Sequence, residues 1–272
     1  MLSIILAKTV PSGTIARMIF IVENYYPMFL EGLKFTLIIS LLGTLFGVML
    51  GMLLVTLKLQ TISERDSVVT KALKKIAIVF STTYVDIIRG TPMMIQAIIF
   101  YYWFLFPVFK MGFLSAGIFI VTLNTAAYAT EVLRGSIQAI DVGQMEAARS
   151  LGMSRKQAMM KVILPQALRN SVPAIGNELV INIKDSSVLS VIGVIELMYQ
   201  SKAAASYYYL TVESALVAAV IYLILTMSAT RLLEYIVVKT NGDKPNKPNV
   251  RRERNIMFVS IPTSQSFFRR EK

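Results

Sequence analysis

The sequence contains neither cysteine nor histidine, and few of its residues are charged. Of the 272 residues none is Cys or His, and Asp, Glu, Lys and Arg together make up 16% of the chain. Without thiols or imidazoles there are no disulfides, no thiolate or imidazole catalysis and few options for transition-metal binding. Because a soluble domain carries about 25% charged residues, the composition also disfavours a water-soluble enzyme.

Long runs without charge dominate what is present. A helix needs about 20 mostly apolar residues to cross the hydrocarbon core, and four charge-free stretches reach that size. A fifth apolar segment, at about residues 171–195, is interrupted by Glu178, Lys184 and Asp185. We therefore predict an all-α integral membrane protein with five spans, at about residues 32–57, 88–109, 112–133, 172–195 and 210–238.

The basic residues lie mostly on one side of these predicted spans. The net charge is +12, and most Lys and Arg residues follow the first, third and fifth spans. Cytoplasmic loops of membrane proteins carry such an excess. This pattern predicts an N-terminus outside, a cytoplasmic C-terminus and no role for nucleic acid.

The two ends of the chain differ from the apolar middle. Residues 1–28 lack the pattern of a cleavable signal peptide and, with Ile15, Arg17, Ile19 and Phe20, predict a segment at the outer membrane interface. Residues 239–272 are polar and basic, which predicts a disordered cytoplasmic tail. Binding of this tail to anionic lipid is an alternative.

Small residues recur at a four-residue spacing in the first span. Gly43, Gly47 and Gly51 fall on one face of a helix there. Such a stripe lets two helix backbones approach closely in lipid, where no hydrophobic drive brings helices together. We therefore expect these glycines to contact another helix.

The loop between the third and fourth spans, at about residues 141–165, predicts a helical hairpin. Asp141 can cap a first helix, with Gln144 three residues later, and Gly152 can end that helix in a left-handed conformation. Ser154 can start a second helix with Gln157 at the reciprocal capping position, and Pro165 ends it or begins the next element.

The hairpin and several other segments resemble a known family. Glu-Ala-Ala, three residues, Gly, nine residues and then aliphatic-x-Leu-Pro is the signature of ABC importer permeases, with Val162 here where Ile is commonest. The motif stands at Glu146, Ala147, Ala148, Gly152, Val162, Leu164 and Pro165. Segments similar to the polar amino-acid branch are 29–33, Arg89-Gly90-Thr91-Pro92, Ala126-Ala127-Tyr128 with Glu131, Gly143-Gln144, 164–169 and Lys184-Asp185-Ser186-Ser187.

The resemblance covers about residues 27–238 and implies a type I ABC importer permease fold in a transmembrane domain at 29–238. It implies a bacterial inner-membrane protein that acts as a homodimer or heterodimer with a second permease copy. The other implied partners are an ABC ATP-binding subunit, seated against the hairpin, and an extracytoplasmic solute-binding protein. The chain has no phosphate loop of the G-x-x-x-x-G-K-[ST] type. We therefore expect no enzyme activity and no cofactor of its own, since ATP would be bound by the partner.

Polar side chains within the spans indicate where a substrate would bind, because such residues are costly in lipid. Glu178 and Asp185 are seven residues apart and so share one face of a helix. We predict a site at mid-membrane where these two carboxylates attract a cationic group. Thr91, just before the helix break that Pro92 imposes, and Met94 and Gln96, just after it, would complete the site.

Other charged residues offer alternatives to this site. Glu178 and Asp185 could instead pair with Lys184 or with Arg89. Asp86 and Arg89, three residues apart on a helix, predict a structural or gating pair.

Two carboxylates favour a basic amino acid such as arginine, lysine or histidine as the substrate. Glutamine or another neutral polar amino acid is the alternative within the transport hypothesis. From other classes, an ATP-independent secondary carrier or channel and a membrane scaffold without transport activity are alternatives.

Overall fold

The computed structural model describes residues 10–64 and 66–241, and these residues form helices and no strand. The long helices are α1 (Thr14–Lys58), α2 (Val68–Gly90), α5 (Phe113–Gln138), α8 (Leu164–Asp185) and α10 (Thr211–Asn241). The short ones are α3 (Met93–Ile99), α4 (Phe106–Phe109), α6 (Val142–Ser150), α7 (Arg155–Ala158) and α9 (Leu197–Ser206). Two π-helical segments, Phe100–Leu105 and Met159–Ile163, and a 3-10 segment, Ser186–Ile192, join them. The all-α prediction is confirmed.

The described helices support three to four of the five predicted spans. By length and composition α1, α5 and Thr211–Lys239 could each cross a membrane. The predicted span 88–109 is not one straight helix, because Val68–Gly90 and Met93–Phe109 meet at a 109° bend, and this bent pair would count as a fourth span. The predicted span 172–195 is α-helical only to Asp185 and begins earlier, within α8, which is not among the candidate spans.

The predicted boundaries near the chain ends fall inside helices. Helix α1 continues through residue 28 without a break, so the predicted interfacial segment and the first span share one helix. Residues 1–9 and most of the predicted tail, from 242 onward, lie outside the described residues. Of the described residues, those up to Glu234 belong to one compact unit and those from Tyr235 to 241 belong to a second one.

The glycine stripe of α1 lies directly against α5. A Cβ on Gly43, Gly47 or Gly51 would come within 2.5, 2.5 and 2.8 Å of the side chains of Val121, Thr125 and Ala129, respectively. These distances are far below the 3.4–4 Å of ordinary van der Waals contact. The two helix backbones are therefore so close that only glycine, which has no Cβ, fits at these positions without displacing a neighbour. The glycines therefore set the separation of α1 and α5.

A buried asparagine joins α8 to this pair of helices. The Nδ2 atom of Asn182 donates to Thr44 Oγ1 on α1 at 2.7 Å and to Thr125 Oγ1 on α5 at 2.9 Å. Asn182 and both threonines are buried. An unpaired amide there would be costly, so these hydrogen bonds fix where α8 meets the α1–α5 contact.

The bend after α2 is held by the side chain of Gln96. Pro92 has no N–H, and Thr91 is extended, which leaves carbonyl groups at the end of α2 without helical donors. The Nε2 atom of Gln96 donates to Ile88 O at 2.7 Å, to Thr91 O at 2.9 Å and to Thr91 Oγ1 at 2.8 Å. Asn124 of α5 donates to Gln96 Oε1 at 3.3 Å. One amide therefore stabilises the break and ties it to α5.

We predict that Gly47→Ala destabilises the protein by about 1–3 kcal/mol, the usual cost of an overpacked contact. The added methyl group would meet Thr125 Cβ at 2.5 Å and Thr122 O at 3.1 Å. Thermal unfolding of the purified protein in detergent measures the effect.

Gly135→Ala is the matched control, since nothing lies within 4 Å of a Cβ at this position on α5. It should leave the melting temperature unchanged or raise it slightly. Equal melting temperatures for Gly47→Ala and the unaltered protein would show that the stripe does not limit the helix separation.

Candidate substrate site and coupling hairpin

A cavity opens where the bend after α2 faces α5 and α8. Its volume is about 530 Å³, within the range of about 300–1,000 Å³ found for small-molecule sites. Its wall combines charged, polar and apolar side chains from three helices and the bend: Arg89, Gly90, Thr91, Pro92, Met93, Asn124, Tyr128, Glu178, Ile181 and Asp185.

Two carboxylates from α8 lie on this wall. Glu178 is half-buried and Asp185 is exposed at the end of the helix. Neither side chain has a hydrogen bond or ion pair to another described residue. The two residues predicted from their spacing on one helix face therefore line the same cavity, and each keeps its acceptor capacity for a donor outside the described chain.

The other three predicted site residues are placed differently. Thr91 lines the cavity, and its Oγ1 donates to Ile87 O at 2.8 Å. Gln96 is buried behind the bend, where its amide binds the backbone, so it supports the wall rather than facing the cavity. Met94 is exposed and is not part of the wall, which instead includes Met93. The helix begins after Pro92, and this start turns Met93 inward and Met94 outward.

Arg89, the last basic residue of α2, also lines the cavity. Its guanidinium carbon lies 5.2 Å from the centre of the Tyr128 ring, which is a cation–π contact. One guanidinium nitrogen lies 3.9 Å from Glu131 Oε2. The predicted pairing of Asp86 with Arg89 is not observed, because Arg89 extends toward α5 whereas Asp86 is exposed. Lys184 is exposed as well and has no ion pair within the described chain.

Glu131 of α5 is the centre of a cluster of charges that the sequence did not indicate as a site. Lys58 Nζ lies 2.7 Å from Glu131 Oε1, and Arg134 donates to Glu131 Oε2 from Nε at 3.0 Å and from a terminal nitrogen at 2.7 Å. With Arg89, the ends of α1, α2 and α5 thus share one carboxylate. The signal in the sequence was a lone acidic residue at the end of an apolar span, but its partners are far apart along the chain.

The predicted hairpin forms two helices with the expected caps. Gly152 has φ +84°, and Met153 N–H donates to Ala148 O while Gly152 N–H donates to Arg149 O. This is the Schellman pattern that ends a helix with a left-handed residue. Ser154 and Gln157 form the predicted capping box, with hydrogen bonds of 3.2 and 2.8 Å.

Two details of the hairpin differ from the prediction. Asp141 caps α6 through Gly143 N–H at 2.6 Å and not through a reciprocal contact with Gln144. The second helix does not stop at Pro165, since α7, the π segment Met159–Ile163 and α8 follow one another with helical backbone angles. Pro165 follows directly after the π segment, and a local π adjustment of this kind accommodates a proline within a helical path.

Most of the hairpin motif faces solvent. Glu146, Ala147 and Gly152 are exposed, whereas Ala148 is buried against the chain. Leu164 is half-buried and Pro165 exposed. The neighbouring Leu151 is 82% exposed and Val142 71% exposed. The exposed side of the hairpin therefore combines small, apolar and acidic side chains that no described residue covers.

The cavity wall carries side chains that bind polar and charged groups. In the described part of the chain no group of three acidic, His or Cys side chains could hold a metal ion. The cavity wall offers two carboxylates, one guanidinium, a hydroxyl, an amide and a phenol. These groups bind ammonium, guanidinium, carboxylate and amide groups.

Comparison with known proteins places these features in a family. The family described as "Binding-protein-dependent transport system inner membrane component" matches residues 69–241. The probable amino-acid permease YxeN of Bacillus subtilis is 33% identical over 74% of this chain and 86% of its own length. The arginine transport system permease ArtQ of the same organism is 34% identical over 75% of this chain and 88% of its own length. The putative glutamine transport system permease GlnP of Rickettsia conorii is 34% identical, over 79% and 95%.

Solved structures give the same answer for the fold. A structure described as "Crystal structure of an amino acid ABC transporter with histidines" matches with a TM-score of 0.71 and 34% identity, over 80% of this chain and 96% of the matched chain. The MetNI methionine ABC transporter in an inward-facing conformation shares the fold with a TM-score of 0.62 at 21% identity, over 80% and 96%. The type I importer fold is thereby confirmed. The chain belongs to the family of inner membrane components of binding-protein-dependent transport systems, the permease subunits of ABC importers.

Proposed function

We propose that this chain is the permease of an ABC importer for polar amino acids and that its preferred substrates are basic ones. The observation that carries the substrate class is the cavity wall, where Glu178 and Asp185 line an open volume and form no ion pair with a described residue, including Arg89 on the same wall. A carboxylate removed from water is costly unless a cation compensates it. An arginine or lysine side chain supplies that charge.

The relatives support an amino-acid substrate without selecting one. One relative is named for arginine and another for glutamine. Glutamine or another neutral polar amino acid remains the second candidate. Thr91, Asn124 and Tyr128 on the wall favour it, since their hydroxyl and amide groups complement an amide side chain.

The partners follow from the family. Permeases of this kind work with an ATP-binding subunit and an extracytoplasmic solute-binding protein. We propose that the exposed hairpin residues Glu146, Ala147 and Gly152 contact the ATP-binding subunit, with Leu164 and Pro165 starting the helix that leads to the site. ATP then binds to the partner, and the chain itself needs no cofactor. A second permease copy, identical or related, would complete the membrane pathway.

The proposed orientation has the N-terminus outside and the C-terminus in the cytoplasm of an inner-membrane protein. The segments predicted to follow the first, third and fifth spans then share the cytoplasmic side, which agrees with the distribution of Lys and Arg. An ATP-independent carrier and a scaffold are disfavoured, because the chain belongs to a family of permease subunits of ABC importers.

We predict that Glu178→Gln or Asp185→Asn weakens arginine binding about 10- to 100-fold, because each change removes one charge-assisted contact worth about 1.5–3 kcal/mol. Binding of radiolabelled arginine to the permease–ATPase complex in nanodiscs, without the solute-binding protein, measures the effect.

Asp86→Asn is the matched control, because Asp86 is exposed and does not line the cavity. The affinity of the Asp86→Asn complex for arginine should stay within twofold of the affinity of the unaltered complex. Unchanged arginine binding by both site variants would refute the proposed role of the carboxylates, and tighter binding of glutamine than of arginine would favour the second candidate.

We also predict that Glu146→Lys lowers ATP-driven uptake at least tenfold while the protein melts normally. Glu146 is exposed and its side chain holds no other described residue, so the change alters the docking surface and not the fold. Uptake into proteoliposomes and co-purification with the ATP-binding subunit are the measurements.

Glu64→Lys serves as the control for charge reversal, since Glu64 is exposed in the loop after α1. It should transport at the normal rate. Normal uptake by Glu146→Lys would exclude the hairpin motif as the coupling surface.

A further inference from the structure

Arg89 is the cation on the wall of the candidate substrate cavity. Among the described residues that line it, two are acidic, Glu178 and Asp185, and Arg89 alone is basic. The acidic residues come from α8, whereas Arg89 stands in the last turn of α2. The cavity therefore offers positive and negative charge from different helices.

Glu131, the acidic residue nearest to Arg89 among the ion pairs, is already paired with two other cations. Glu131 already has Lys58 at 2.7 Å and Arg134 at 2.7 Å, whereas Arg89 lies at 3.9 Å, beyond hydrogen-bond distance. One carboxylate thus faces three cations, and this cluster carries excess positive charge. A further anion would be attracted to the side of the cluster that Arg89 presents to the cavity.

The environment of Arg89 leaves its donors free while it limits the motion of the group. The Tyr128 ring covers one face of the guanidinium at 5.2 Å. Cation–π stacking leaves the N–H groups in the plane of the guanidinium available, and that planar fork matches a carboxylate. The side chain is 43% exposed, and none of its nitrogens makes a hydrogen bond to another described residue, so a ligand in the cavity can reach it.

We propose that Arg89 binds the α-carboxylate of the transported amino acid. This inference rests on the proposed function and deepens it. A basic amino acid carries one carboxylate and two cationic groups, and the wall carries one guanidinium and two carboxylates. Arg89 then selects for the amino-acid backbone, whereas Glu178 and Asp185 select for the positive charges.

The proposal makes a specific demand on ligands that lack a carboxylate. Cadaverine is lysine without its α-carboxylate, and 4-aminobutanamide is the same derivative of glutamine. A complex with Arg89 should bind each amino acid more tightly than its decarboxylated analogue. Arg89→Gln should remove that preference, because the amino acid loses the partner of its α-carboxylate, whereas the analogue has no carboxylate to lose a partner.

The test measures binding of the four ligands to the permease–ATPase complex in nanodiscs without the solute-binding protein. We expect Arg89→Gln to weaken lysine binding about 10- to 100-fold and cadaverine binding less than twofold. Arg134→Gln is the control, since it removes a hydrogen-bonded partner of Glu131 and does not line the cavity. It should preserve the preference for lysine.

Three results would overturn the proposal: unchanged lysine binding by Arg89→Gln, an equal loss for lysine and cadaverine, or the same loss in Arg134→Gln, which would assign Arg89 a structural role through Glu131. A wrong substrate class would give a different result, because the unaltered complex would then bind glutamine and not lysine. Glutamine and 4-aminobutanamide would in that case test the role of Arg89 in place of lysine and cadaverine. Binding of none of the four ligands would refute both proposals.

Discussion

A helix that breaks inside a membrane leaves backbone carbonyls that lipid cannot satisfy, and the side chain of Gln96 meets this requirement here. Its amide reaches both the last turn of α2 and the extended Thr91. The bend that results brings Arg89, Thr91 and Met93 to one cavity. In the absence of this hydrogen bonding, the cost of each unsatisfied group in lipid would favour a straight helix or unfolding of the bend.

The cavity also depends on contacts that lie behind its wall. Glycines on α1 bring that helix against α5, and Asn182 holds α8 to both through two threonines. The wall of the cavity takes Asn124 and Tyr128 from α5 and Glu178 from α8. The separation of the helices is therefore set by small and polar residues that never face a substrate.

Sequence patterns predicted the helices and the hairpin caps well, because both follow from local rules. Charge-free runs locate spans, and Gly152 and the Ser154–Gln157 box act within a few residues of each other. The wall of the cavity was predicted only in part. Spacing on one helix placed Glu178 and Asp185 on a common face. No local rule showed that the Gln96 amide would bind the backbone or that Met93, and not Met94, would line the cavity. Nor did any local rule show that Arg89 would contact Tyr128 and Glu131 and not Asp86. These outcomes depend on the bend and on α5, which is distant in the chain.

The uninterrupted helical path from α7 through the π segment to the end of α8 has a mechanical consequence. At 1.5 Å per residue it is roughly 45 Å long, with the hairpin at one end and Asp185 at the other. Pro165 and Pro173 lie within this path, so it acts as a lever only when it tilts as one body. A tilt of about 5° at the hairpin would then displace the far end by about 4 Å. A small rocking motion at the hairpin thus has enough reach to widen or narrow the opening beside Glu178 and Asp185 without unwinding any helix.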